Sequence, residues 1–129
     1  MRRVQCLIML LLLLGGCGAS SQVSVSGDLR LALTMEPTPA LAGRPASLAF
    51  ELQRSGAPVD IAEIRVTRSM AGMEHPSDRA GVLARPAANG RYVAELEFPM
   101  GGRWEIQANV TFEDGRSEVV KFSAEVEQP

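Results

Sequence analysis

The soft donor atoms of this 129-residue chain are six methionines, two cysteines and a single histidine. Met70, Met73 and His75 form a Met-x-x-Met-x-His cluster, with Gly72 and Pro76 shaping its backbone, and Met100 stands in a Pro-Met-Gly-Gly turn. Thioether and imidazole donors together select Cu(I), a soft ion, over the oxygen-preferring cations. Met70, Met73, His75 and Met100 are therefore the candidate copper ligands. Glu74 and Asp78 are placed to accept the second ring N–H of His75 and set its tautomer, as carboxylates next to metal-binding histidines often do. Met35 continues the inward alternation of a strand and reads as core. The plainer account of the others is that they cap the open end of a core, since methionine fills irregular space.

The cysteines point to a location. Arg2 and Arg3 precede an apolar run from Cys6 to Leu14, which ends in Leu14-Gly15-Gly16-Cys17. This order of a basic start, a short apolar stretch and small residues is that of a bacterial secretion signal. The run is far shorter than the roughly 20 residues needed to span a bilayer. The ending looks like a lipobox, in which Cys17 becomes the lipid-modified first residue. Residues 1–16 are then a signal peptide, 17–28 a lipidated cysteine with a flexible tether, and 29–127 the folded domain. Cys6 leaves with the leader and Cys17 carries lipid, so the domain holds no thiol for a disulfide, a thiolate zinc site or a nucleophile. The expected place is extracytoplasmic, anchored to the cell envelope by the lipid on Cys17. A thiol-free site suits such an oxidising compartment.

About 113 residues remain after the leader, enough for one domain with its own core. The formal charge is −2, and two of the basic residues lie in the leader. Nucleic acid is therefore not an expected partner, because phosphate binding needs a basic surface.

Apolar residues alternate with period two at Leu29–Met35, Ala46–Leu52, Ala62–Val66, Tyr92–Phe98, Trp104–Phe112 and Val120–Val126, with a weaker candidate at Val82–Arg85. Pro37 and Pro39, Ser55-Gly56-Ala57-Pro58, Asn89-Gly90, Pro99 to Gly102 and Glu113 to Arg116 separate them as turns, and residues from Arg68 to about Arg79 read as a long loop. About seven short strands without a helical period predict an all-β, immunoglobulin-like antiparallel β-sandwich. The Cys-Trp-Cys core of antibody domains is missing, so Trp104 reads as an ordinary core residue. If consecutive strands alternate in direction, the first, third and fifth connections share one pole, and these carry Met35, the Met-His cluster and Met100. That parity requires Val82–Arg85 to be a strand; without it, Met100 moves to the far end.

Other chemistry is set aside. His75, Ser77 and Asp78 lie too close together in one loop for a hydrolase triad, whose nucleophile and acid flank the imidazole. Glu95 with Glu97 and Glu113 with Asp114 read as solvated surface, and Asn109-Val110-Thr111 falls inside a strand. No nucleophile, base and oxyanion arrangement is visible, so the chain does not read as an enzyme.

Three segments resemble a known family: Met70-Ala-Gly-Met73-Glu-His75, Asn89-Gly90-Arg91-Tyr92, and Phe98-Pro-Met100-Gly-Gly102-Arg-Trp104-Glu-Ile106. They look like the YtkA-like domain family, which is similar to FixH-type proteins linked to assembly of cytochrome oxidases. The resemblance covers about Leu29 to Val126. It implies a small extracytoplasmic β-sandwich involved in copper handling, with no established enzymatic activity. Two functions follow as expectations. One is a lipid-tethered Cu(I) buffer or carrier, with a respiratory oxidase among its possible copper acceptors. The other is a sandwich module without metal that holds a protein partner in an envelope assembly.

Overall fold

The computed structural model describes residues 20–70 and 81–129. Among them the chain forms two facing sheets. Strand β1 (Ser20–Ser26) pairs with β2 (Leu29–Glu36), β2 with β4 (Pro45–Arg54), β4 with β9 (Arg91–Glu97), and β9 with the short β8 (Arg85–Pro86). The two-residue β5 (Ala57–Pro58) hangs on β4. In the second sheet the order is β3 (Ala40–Leu41), β11 (Ser117–Glu127), β10 (Gly102–Phe112), β6 (Ile61–Met70) and β7 (Val82–Leu83). All pairings are antiparallel except β3 on β11, where Ala40 and Leu41 lie parallel to Val126 and Glu127. The expected β-sandwich is therefore the observed one.

The period-two alternation does the packing. Leu31, Leu33, Leu48 and Phe50 from one sheet meet Ile106, Ala108, Val110 and Phe122 from the other, all 4% exposed or less. The rings of Phe50 and Phe122 bridge the layers at 6.2 Å. Each of the larger side chains among them contributes about 1.5–3 kcal/mol on leaving water. No polar or charged residue is buried among the described residues.

The weak strand candidate at Val82–Arg85 is two strands. Val82 and Leu83 pair with β6, then the chain changes sheets at Ala84, whose N–H donates to the Ile64 carbonyl at 2.9 Å, and Arg85 and Pro86 pair with β9. Both halves run the same way, antiparallel to β6 and to β9, so the alternation of direction is kept. At the following turn Asn89 and Gly90 take φ of +63° and +69°, the left-handed conformations for which asparagine and glycine are suited.

Two expectations need correction. Ser20–Ser26, assigned above to the tether, form β1 and pair along their whole length with Met35–Leu29. The pattern hides this strand because its inward positions, Gln22, Ser24 and Ser26, are polar, whereas Val23 and Val25 face solvent at 49% and 64% exposure. The inward side of β1 meets the margin of β11, where the Gln22 amide donates to the Ser123 carbonyl, and not the apolar core. The second correction concerns the long loop expected from Arg68. Strand β6 continues through Arg68 and Ser69 to Met70, in register with Ile106, Glu105 and Trp104 of β10.

Candidate functional site

Strand register determines which ends lie together. Met70 ends β6 and faces Trp104, two residues into β10, so the end of β6 lies beside the β9–β10 turn that carries Met100. Met35, one residue before the end of β2, lies opposite Leu48, and Pro45 at the start of β4 pairs with Glu97 at the end of β9. The expected shared pole is thus present for Met35, Met70 and Met100. Met73 and His75, with Glu74, Ser77 and Asp78, lie outside the described residues, as does Cys17.

The three placed methionines differ in environment. Met35 is 5% exposed and belongs to the core, as its alternation implies; it lines a cavity of about 320 Å³ together with Gln22, Leu33, Thr38, Pro39 and Arg103. Met70 is half-buried and packs against the core. Met100 is 40% exposed at the tip of its turn. Only the last two have thioethers at the margin of the fold.

The turn that presents Met100 is held from three sides. Trp104, fully buried, donates its indole Nε1–H to the Met100 carbonyl at 3.0 Å. The Phe98 ring packs on Trp104 at 5.5 Å with a tilt of 59°. Gly101 donates its N–H to the Gln128 side-chain carbonyl, so the C-terminal residues of the described chain brace the turn. The Arg68 guanidinium lies 5.9 Å from the centroids of both the Phe98 and Trp104 rings, within cation–π range. On the neighbouring strand Arg103 is paired with Glu125 at 2.9 Å.

Both glycines after Met100 have a spatial reason. A Cβ on Gly101 would lie 2.7 Å from the Gln128 Oε1 and 2.9 Å from its backbone nitrogen. A Cβ on Gly102 would lie 2.6 Å from the Met70 methyl carbon, and Gly102 adopts φ +136°. The Met70 side chain thus occupies the space a larger residue at 102 would fill. Neither Gly102 nor Arg68 was among the candidate residues. The signal for the first is a Gly-Gly doublet opening the longest alternating strand, legible as a turn but not as a seat for a thioether.

The pairs set aside above stay at the surface. Glu95 and Glu97 are exposed, and Asp114 holds Arg116 within its own turn. Asn109 donates to the Arg65 carbonyl at 3.4 Å inside the β10–β6 ladder. No three His, Cys, Asp or Glu residues converge on a common point among the described residues. What this pole offers is soft: Met70 at the end of β6 and Met100 on the turn beside it.

A family model described as YtkA-like matches residues 24–109. Two crystal structures are similar in fold. One is the PmoD soluble domain from Methylocystis sp. ATCC 49242 (Rockwell), with a TM-score of 0.55, 16% identity, and coverage of 81% of this chain and 97% of that one. The other is a DUF4426 family protein from Pseudomonas aeruginosa PAO1, with a TM-score of 0.57, 15% identity, and coverage of 81% and 93%. No curated protein matches the sequence.

Proposed function

The chain belongs to the YtkA-like family, and from that premise we propose a lipid-anchored envelope β-sandwich that carries Cu(I) as cargo on Met70, Met73, His75 and Met100. The supporting observation is the register that sets Met70 and Met100 at one pole. Met73 and His75 follow Met70 by three and five positions in the sequence and complete the proposed donor set.

The donor set fits the cargo. Thioethers bind a soft monovalent ion without being deprotonated, so Met70 and Met100 hold it equally at any ordinary pH, and imidazole adds one stronger donor. The chain's own residues supply the rest. The Trp104–Met100 hydrogen bond fixes the turn, and the vacancy at Gly102 seats Met70. Partial exposure of Met100 leaves one ligand open to an acceptor, as delivery requires.

Anaerobic Cu(I) titration of the protein against a competing chelator tests the reading. Replacing Met70, Met73, His75 and Met100 together with alanine is expected to abolish competition. Identical curves for the wild-type and substituted proteins refute it and favour the metal-free interaction module.

A further inference from the structure

We infer that the methionine-bearing pole faces the lipid bilayer, so that any partner reaching its thioethers must present its own ligands at the membrane surface. The inference rests on the anchoring of Cys17 in the reading above, and it deepens that reading by placing the partner.

The first argument is covalent. Ser20 opens β1 and pairs with Met35, so the chain joins the domain at the pole of Met35, Met70 and Met100. Cys17 lies three residues before Ser20, and a span of three residues reaches at most about 11 Å. β1 touches β11 through Gln22 and Ser123, and β11 pairs with β10 from Gly102 onward, so the start of β1 and the Met100 turn lie on neighbouring strands at one pole. The opposite pole is about 35 Å away along the eleven residues of β10. A tether this short cannot turn the domain over.

The second argument is the chemistry of the two ends. At the far pole the turns carry Asp28, Asp60, Glu113, Asp114 and Arg116. At the methionine pole the described connections, residues 37–39, 42–44 and 98–101, carry one charged residue, Arg44, and expose Pro37, Pro39, Pro99 and Met100 at their tips, with Glu36, Glu97 and Glu127 exposed at the strand ends behind them. The apolar tips, which project past the strand ends, tolerate the headgroup boundary, whereas turns that themselves carry carboxylates are repelled by anionic lipid. Covalent attachment and surface chemistry thus select the same end.

The two cysteines of the sequence are Cys6 and Cys17, the first in the leader and the second blocked by lipid, so an introduced cysteine is a unique label. Full-length protein carrying P99C or E113C is recovered from cell membranes, labelled with a fluorophore, and reconstituted into phosphatidylethanolamine–phosphatidylglycerol vesicles containing a headgroup-attached quencher. Quenching is expected to be several-fold stronger at position 99. Equal quenching, or stronger quenching at 113, overturns the inference.

A Gly-Ser linker inserted after Gly18, about 20 residues long and about 25 Å in mean span, separates the two arguments. Loss of the difference assigns orientation to the tether, and its persistence assigns it to the turns; either supports the placement. If the wild-type protein fractionates as soluble, like C17S, anchoring and orientation fall together. A flat copper titration beside a strong quenching difference removes the copper reading alone.

Discussion

Replacing Gly102 with alanine separates a structural contact from a backbone preference. The new Cβ would lie 2.6 Å from the Met70 methyl carbon, where carbon–carbon contacts settle near 3.5–4.0 Å, so the methyl must retreat by about 1 Å. Met70 is unbranched and its tip can swing, which limits the steric cost to an off-rotamer side chain, about 0.5–1.5 kcal/mol. The φ of +136° adds strain of about 1–2 kcal/mol for any residue with a Cβ. Lower entropy of the unfolded chain returns about 0.4–1 kcal/mol. The net expectation is destabilisation by about 0.5–3 kcal/mol, read from urea unfolding midpoints at constant slope. In a Met70→Ala background the backbone and entropy contributions remain and the steric one vanishes. A double-mutant cycle should therefore show coupling of about 0.5–1.5 kcal/mol. Anaerobic Cu(I) titration of Gly102→Ala should also show weaker competition, because the Met70 sulfur is re-aimed. Additive costs in the cycle would show that Gly102 does not seat Met70.

Two further predictions concern the rest of the fold. At the far pole Arg54 lies 4.3 Å above the Phe112 ring and within ion-pair distance of Asp28 (3.2 Å) and Glu118 (3.5 Å), although its Nε lacks hydrogen-bonding geometry and Glu118 Oε2 has no partner. Arg54→Ala should cost about 1–2 kcal/mol in urea unfolding, mostly through the lost stem and ring contact, and Arg54→Met should recover part of it; a neutral Arg54→Ala would refute the clasp. Gly81→Ala would place a Cβ 2.8 Å from the Val66 carbonyl oxygen at φ +66°, and should release β7 from β6. Faster hydrogen exchange at the Ala84 amide, which donates to Ile64, is the readout, and unchanged protection there would contradict it.

The sequence showed the sandwich because most strands have one face in the core, and the alternation records that face directly. Leu29, Leu31, Leu33 and Met35 on β2, and Trp104 to Phe112 on β10, are buried at every second position. The signal failed where a strand has a different neighbour. The inward serines and glutamine of β1 meet the β11 margin, so the phase of its alternation is inverted and the segment reads as a polar linker. Residues 67–70 of β6 are all half-buried, which erases alternation and reads as loop. β3 is two residues long, below what any periodicity can register.

The same reasoning explains what was legible at the methionine pole. Residue type alone marked Met70 and Met100 as soft donors, and parity of strand direction placed them together, because parity depends only on counting strands. The count survived although Val82–Arg85 is divided between the sheets, since both halves run in one direction. What composition could not convey is which methionine is available. Met35 shares the pole, but the phase of β2 turns it inward, and it is 5% exposed against 40% for Met100. The difference comes from the turn: Trp104 holds the Met100 carbonyl, and Gly101 and Gly102 admit Gln128 and Met70, so the chain cannot fold the Met100 side chain back into the space those residues occupy. Exposure of that thioether is thus a consequence of close packing behind it.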